Sequence, residues 1–332
     1  MKKRRIFSPM AWGNGAYILH KMIEKHIPNY TVKGYNPYLT IIPFSLPWAA
    51  TVKGADLIHT TPDYAVFFHK PSQPMVLTFH NYVLDRWMQN HSSWIQSLYY
   101  TTTLKLLSRM AVKKAHALTA VSHYTARLVQ EDLTTSEHIR VIYNGIDVDQ
   151  FKPAASSPYS RKEVRVFFSG NLIRRKGAHW LPSIARGLGK NIRIYYTQGL
   201  RTQNNLASNS KLQPIGSVPF KDMPNRYRQM DLLVMPSVRE GFGLAVAEAM
   251  SCGLPVVATN GSAIPELIDE GKGGFLCPVG DVDAFAEKIN LLADSPNLRH
   301  EMGEYNRAKV EKMFTLGRMV KEYQELFEEV LG

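Results

Sequence analysis

Pro236-Ser237-Val238-Arg239-Glu240-Gly241-Phe242-Gly243-Leu244-Ala245-Val246-Ala247-Glu248 is the stretch that decides how this chain of 332 residues is read. It follows an apolar run within residues 231–236 that predicts a buried strand. A short turn and then a helix are predicted next. Glu240 stands in the turn, ahead of two glycines that flank Phe242, and Glu248 stands about one and a half turns into the helix. Glycines at such a turn let a ligand approach the backbone closely and expose amides at a helix start, where an anion is favoured. Two carboxylates so placed can grip separate parts of one polar ligand. The competing reading is an ordinary strand-turn-helix with a solvent-facing Glu at each end.

Outward from this stretch the same alternation of strand and helix recurs. Upstream, residues 5–9, 30–35, 56–60, 75–79, 116–121 and 140–143 read as strands. Residues 16–26 and 94–115 read as helices, and Ser122 as the cap of another. Residues 39–47 are apolar but interrupted by Pro43 and Pro47, and read as a strand end and a loop. Residues 151–162 form the best linker, rich in Pro, Ser and Ala. Beyond it the strands are 164–169, 191–197, 212–216, 231–236, 253–258 and 273–277, with residues 200–211 as a surface loop or short helix. Helices are expected at 179–188, 222–229, 261–269 and 281–293, the last capped by Asp281, and throughout the chain from Pro296 onward. The final helix, residues 316–330, has an apolar stripe of Met319, Val320, Tyr323, Leu326, Phe327 and Val330. Short apolar strands alternating with helices predict an α/β fold with parallel sheets covered on both faces. The length predicts two domains.

Composition sets the remaining bounds. At 45% hydrophobic and 20% charged residues the chain is that of a globular protein. No run of 18 apolar residues occurs, so no spanning helix is expected. The start, Met1-Lys2-Lys3-Arg4-Arg5, is basic, but the apolar segment behind it is too short for a signal peptide, which suggests a cytoplasmic protein. Cys252 and Cys277 have no metal-ligand company and read as buried thiols. The net charge of +12 is unevenly spread: from Arg86 to Gln130 there is no Asp or Glu, yet Arg86, Lys105, Arg109, Lys113, Lys114 and Arg127 are present. Lys105, Arg109 and Lys113 share one helix face, for which transient contact with an anionic membrane surface or an anionic acceptor supplies a reason. Tyr99, Tyr100 and Trp94 could anchor it at the interface. No zinc-finger, RNP-like or KH-type element supports nucleic acid as the partner.

Taken together, Glu240 to Glu248, the following Gly253-Leu254-Pro255-Val256-Val257-Ala258 and Gly261-Ser262-Ala263-Ile264-Pro265-Glu266, the loop from Gly170 to Gly177, and Asn144-Gly145-Ile146-Asp147 have a recognisable order. The chain resembles the retaining, nucleotide-sugar-dependent glycosyltransferases of the family 4 type, whose GT-B fold has two Rossmann-like domains facing a central cleft. The resemblance implies an N-terminal acceptor-binding domain over 1–155, a nucleotide-sugar-binding domain over 156–305 and a helical segment over 306–332 that crosses back to the first. It implies that Glu248 bonds the donor ribose, and that Glu240 holds the transferred sugar with the backbone of Gly241, Phe242, Gly243 and Leu244. Lys176 would neutralise the diphosphate. The family commonly has Arg where this chain has Asn171, and Arg174 or Arg175 is expected to supply that charge, Arg175 by proximity. If neither does, a non-catalytic partner subunit becomes the reading.

In the first domain, Gly13 and Gly15 match the glycine-rich loop that approaches the diphosphate, and His80 matches an active-site histidine near the sugar. Asn14, His59, Asp63 and Asn81 are expected on the acceptor side, His59 and Asp63 because open sheets place ligands at strand C-termini. UDP is the commoner nucleotide in this kind of enzyme and GDP the second. No cofactor is expected, and the sequence is read as carrying no Asp-x-Asp metal-binding element. The implied activity is hexose transfer to a saccharide or lipid-linked acceptor in bacterial surface glycan synthesis, lipopolysaccharide among them. A soluble enzyme making a small disaccharide or solute is the alternative.

Overall fold

The computed structural model of the chain describes residues 4–85, 93–133, 137–154, 162–199, 206–207 and 209–332. Arg86, residues 155–161 of the expected linker, and residues 200–205 and 208 of the expected loop lie outside the described residues. The chain forms two compact units, Met1–Asn144 with Gly317–Gly332, and Gly145–Leu316. These divisions fall at 144/145 and 316/317, where the sequence reading divides at 155/156 and 305/306. The difference has a packing cause. Phe151 is buried, and its carbonyl accepts from Ser251 Oγ at 2.5 Å and from Arg307 at 2.7 Å, all within the second unit.

The first unit is built on strands β1 (Ile6–Ala11), β2 (Tyr30–Tyr35), β3 (Leu57–Thr60), β4 (Met75–Phe79), β5 (Ala117–Ala120) and β6 (Ile139–Val141). All pairings are parallel, in the order β2-β1-β3-β4-β5-β6. Every residue of β3 and β4 is buried, as a sheet covered on both faces requires. The helix Leu316–Leu331 covers part of this unit. Met319, Tyr323 and Phe327, four residues apart on one face, are buried, and the Phe327 ring lies 6.0 Å from that of Tyr30 and 5.2 Å from that of His59. Arg140 fastens its outer side to Glu329 at 3.0 Å.

The second unit has strands β7 (Val164–Phe168), β8 (Ile192–Tyr196), β9 (Leu212–Pro214), β10 (Leu232–Met235), β11 (Val256–Thr259) and β12 (Gly274–Cys277). They are again all parallel, in the order β12-β11-β10-β7-β8-β9. Numbered from its own first strand, this is the 3-2-1-4-5-6 order of a dinucleotide-binding fold read from the other edge. Strand order therefore reverses between β7 and β10, and the loops that leave those two strands flank the switch point.

Several expected elements are shorter or different. The helices Leu181–Gly187, Met223–Tyr227 and Ile264–Leu267 are trimmed from the expected 179–188, 222–229 and 261–269, and each carries a proline in its first turn that fixes where it starts. The expected single helix 94–115 is three pieces: Trp94–Tyr99, a π-turn over Tyr100–Leu104, and Lys105–Val112. Thr101 and Thr102 hydroxyls bond back to the carbonyls of Ser97 and Leu98 at 2.8 and 2.6 Å, competing with the helical ladder at that point. Residues 39–47 are not a strand end. Asn36 caps a 3-10 turn over Pro37–Ile41, followed by a second over Pro43–Ser45 and the short helix Leu46–Ala49.

One close approach fixes the packing of the second unit. The helix Pro296–Met313 crosses the chain at Gly253, where a Cβ on Gly303 would stand 2.1 Å from the Gly253 carbonyl oxygen. Gly303→Ala forces the two backbones apart and is predicted to cost about 1–3 kcal/mol in urea unfolding. An unchanged midpoint would contradict this packing.

Candidate active site

The loops after β7 and β10 are locked together at the switch point. The Val238 amide donates to the Arg175 carbonyl at 2.8 Å, and Arg175 Nη1 donates to the Arg239 carbonyl at 2.9 Å. Gly177 makes this contact possible. It has φ of +70°, and a Cβ there would lie 1.9 Å from the Pro236 carbonyl oxygen. The lock brings Lys176 Nζ to 2.7 Å from Glu240 Oε1, with side chains only 17% and 8% exposed. Burial alone would raise the Glu240 pKa. The Lys176 and Arg175 cations outweigh it and hold the carboxyl below its ordinary range. The Glu240 amide donates to Ser262 Oγ at 3.0 Å, so this turn is tied on its other side to the chain after β11.

Gly243, at φ of +103°, turns the chain into the helix Leu244–Ser251. Glu248 on that helix is buried and accepts from Tyr227 OH at 2.8 Å. Burial pushes its pKa up to about 7, against the Tyr227 hydrogen bond and the Lys176 charge, which pull it down. Both carboxylates are thus inside the unit, and the reading of two solvent-facing glutamates does not survive. The structure brings Lys176, Arg175, Glu240 and the Gly241–Gly243 turn into one cluster, with Glu248 further along the helix. The Phe242 ring packs 5.6 Å from that of Phe314 in the core. Leu244 is half-buried.

Asn171 stands against the backbone of Gly199, where a Cβ would lie 1.9 Å from Asn171 Oδ1. Arg174 is exposed, whereas Arg175 is turned to the Glu240 turn. The sequence does contain two Asp-x-Asp triplets, at 147–149 and 281–283. Their leading carboxylates are caps: Asp147 Oδ1 accepts from the amides of Asp149 and Gln150, and Asp281 Oδ1 from that of Ala284. Among the described residues no group of three His, Cys, Asp or Glu could hold a metal ion. Cys252 and Cys277 are buried free thiols.

In the first unit the loop after β1 holds Gly13, at φ of +76°, and Gly15, which opens the helix Gly15–His26. Asn14 Oδ1 caps that helix by accepting from the Tyr17 amide at 2.7 Å. Asn81 Oδ1 accepts from the amide of Tyr82. Asp63 lies in the 3-10 turn Pro62–Phe67, where burial pushes its carboxyl up to about 6. His80, directly after β4, is half-buried, and burial lowers its pKa to about 3. His59 is a correction. It is fully buried, with Nδ1 2.7 Å from Tyr30 OH and Nε2 2.7 Å from Thr78 Oγ1, and so offers no atom to an acceptor. His20, which sequence reasoning missed, is fully buried with its Nε2 3.0 Å from His80 Nε2. The only signal for it was a polar ring beside Leu19 in the buried stripe of a helix.

Two predictions follow from the charge burial. Lys176→Met strands Glu240 and is predicted to destabilise the unit by about 3–5 kcal/mol, much of it regained in Lys176→Met/Glu240→Gln; thermal unfolding of the two variants checks this. Glu248 binds its proton more tightly folded than unfolded, so its contribution falls as pH rises from about 4.5 through 7 and is constant above. Glu248→Gln removes this loss. The variant is predicted to gain about 3 kcal/mol on wild type between pH 4.5 and 8, and parallel stability profiles would contradict the assignment.

The chain matches the model of glycosyl transferases group 1 over residues 151–309 and that of glycosyltransferase family 4 over residues 7–150. It is 25% identical over 259 residues to N-acetyl-alpha-D-glucosaminyl L-malate synthase of Bacillus anthracis, a match covering 73% of this chain and 67% of that protein. It is 23% identical to the capsular polysaccharide biosynthesis glycosyltransferase CapM of Staphylococcus aureus, over 98% and 97% of the two chains. Among solved structures, sucrose-phosphate synthase from Thermosynechococcus elongatus aligns with a TM-score of 0.82 at 15% identity, over 99% of each chain. Anabaena HepE in complex with UDP and glucose aligns with a TM-score of 0.80 at 18% identity, over 98% of this chain and 99% of that one. The two sheets and the two family matches agree, and this chain belongs to the family 4, group 1 glycosyltransferases, enzymes of the GT-B fold.

Proposed function

We propose that this glycosyltransferase moves a hexose-type sugar from a nucleotide diphosphate-sugar, UDP in preference to GDP, to a saccharide or lipid-linked acceptor of a surface glycan, with retention at the anomeric carbon. The observation that carries the reading is the cluster at the switch point of the second unit, where a buried cation and a glycine turn stand beside a carboxylate. Breaking the anomeric C–O bond leaves negative charge on the β-phosphate. A fixed Lys176, with Arg175 behind it and the amides of Gly241 to Gly243, suits that developing charge because it needs no reorganisation. Arg175 then does the work of the arginine absent at Asn171. Glu248 accepts from the ribose hydroxyls, Glu240 positions the sugar, and the acceptor hydroxyl attacks from the face that the nucleotide leaves, giving its proton to the departing phosphate. His80, Gly13 and Gly15 serve the sugar and diphosphate, with Asp63, Asn14 and Asn81 on the acceptor side. Among relatives, CapM is named for capsular polysaccharide biosynthesis and HepE is described with UDP and glucose, which supports this choice of donor and product class.

No metal has a part in this account, and transfer is predicted to persist in EDTA. The test of the whole is transfer from UDP-glucose to saccharide and lipid-linked acceptors, with the product anomer read by NMR. An α-linked product from an α-donor supports the reading; inversion or a strict metal requirement overturns it.

Contact with an anionic membrane surface is the second part of the proposal. Large apolar side chains crowd the outside of the first unit: Tyr38, Ile41, Phe44 and Trp48 on one segment, and Trp94, Ile95, Leu98 and Leu106 on the other. Trp48 is 83% exposed and Trp94 76%. The 3-10 turn Pro62–Phe67 joins the two segments, since Phe44 packs 5.3 Å from Phe67 and Tyr64 OH is 2.5 Å from Tyr99 OH. Arg109, Lys113 and Lys114 are exposed nearby, whereas Lys105 is paired with Asp132 at 2.6 Å, a partner from outside the acid-free stretch. An exposed apolar surface with a basic margin is how an enzyme sits at a lipid interface. The described helices include none long and apolar enough to cross a membrane. Co-sedimentation with phosphatidylglycerol vesicles is predicted to fall at least tenfold in Trp48→Ser/Trp94→Ser and to weaken in Arg109→Glu/Lys113→Glu. Unchanged or absent binding would end the membrane reading.

A further inference from the structure

A column of polar side chains runs through the interior of the first unit to His80. Five neighbouring strands each contribute one member: Tyr30 from β2, Ser8 from β1, His59 from β3, Thr78 from β4 and Thr119 from β5. All five are buried, as is His20 from the helix Gly15–His26, and Tyr323 of the C-terminal helix reaches Thr78 at 3.3 Å. Such a column in a sheet core is costly unless each group is hydrogen-bonded, and here each is.

The direction of these bonds can be deduced from one end. The Thr119 hydroxyl donates to the Leu77 carbonyl, which can only accept. Its oxygen therefore accepts from the Thr78 hydroxyl at 2.6 Å. With its proton used, Thr78 accepts from His59 Nε2–H at 2.7 Å, and the bare Nδ1 of His59 accepts from Tyr30 O–H at 2.7 Å. The Tyr30 oxygen then accepts from His20 Nδ1–H at 2.7 Å, a hydrogen that Ser8 Oγ shares at 2.7 Å. His20 Nε2 is left bare and accepts from His80 Nε2–H at 3.0 Å. The opposite direction asks the single lone pair of His20 Nδ1 to serve two hydroxyls and withdraws the Thr119 proton from Leu77. Burial keeps all three rings neutral, and a charge on His80 would further disfavour one on His59 or His20.

We infer that this directed relay fixes His80 as the Nε2–H tautomer and leaves its Nδ1 as a hydrogen-bond acceptor for a hydroxyl of the bound sugar or acceptor. Among the described residues His80 makes no hydrogen bond besides the one to His20. His20, Tyr30, His59, Thr78 and Thr119 are then positioning residues that act through His80. The consequence is a requirement on the substrate, which must present a donor hydroxyl at that point. The inference rests on the placement of His80 beside the sugar, proposed above.

The test is long-range 1H–15N correlation NMR on protein labelled with 15N-histidine, which reads each ring's tautomer directly. Wild type is expected to show His80 neutral at pH 7 with the proton on Nε2. Tyr30→Phe and Thr119→Val, which keep size and cut the relay at two separate places, are each expected to give mixed tautomers at His80. Each is also expected to slow transfer about five- to tenfold, the value of one buried hydrogen bond. A wild-type His80 protonated on Nδ1, or variants with an unchanged His80 signal, would overturn the relay, and the wild-type spectrum decides even if a variant does not fold. The placement of His80 is tested separately. A correct tautomer with full activity in His80→Ala would remove the acceptor role for Nδ1 and leave only the relay.

Discussion

The buried contact between Lys176 and Glu240 is the constraint on which the rest of the second unit depends. A carboxylate stays ionised in the interior only when it is paired, and an ammonium likewise. The pair therefore dictates how closely the loops after β7 and β10 must meet. Gly177 is present because a side chain there would collide with Pro236, and Arg175 is turned inward because its guanidinium bonds the Arg239 carbonyl. Ser262 holds the same turn from the far side. Each of these features is intelligible as a means of keeping one cation and one anion fixed at the end of a sheet. A site prepared in this way has already met the desolvation that a charged ligand would otherwise impose.

The first unit uses a different solution to the same difficulty. The column through its interior is made of histidine rings and the hydroxyls of serine, threonine and tyrosine, and it is satisfied by a chain of neutral hydrogen bonds. Charge pairing tolerates some variation in geometry, because Coulomb attraction falls slowly with distance. A relay of hydrogen bonds does not, since each member must donate in one direction and accept from the other. The two units thus hold these residues by interactions of contrasting stiffness, an ion pair in the second and directional bonds in the first; on the proposed reading the one meets phosphate charge and the other meets hydroxyls.

The sequence makes the fold of this chain unusually legible. Twelve strands were expected and the described residues contain twelve, because parallel strands buried on both faces are continuous apolar runs such as Leu232–Met235 and Met75–Phe79. Glu240 and Glu248 could be read because a glycine turn between a strand and a helix marks them, and Lys176 through the resemblance of the Gly170 to Gly177 loop to the family's. What could not be read depends on pairing across the sequence. His20 and Tyr30 look like helix and strand interior residues until the sheet sets them beside His59. The burial of Glu248 against Tyr227 depends on a helix 21 residues away. Residues 37–49 carry their prolines at turn starts, and no local signal says that Trp48 and Phe44 face outward.

Calorimetric titration of UDP, GDP and their glucose conjugates into wild type and Glu248→Ala tests the central claim most directly. The account predicts that wild type binds UDP more tightly than GDP and that Glu248→Ala weakens UDP binding on the order of tenfold or more, the loss of charge-assisted bonds to the ribose. Binding of neither nucleotide, or binding that the substitution leaves unchanged, would contradict it.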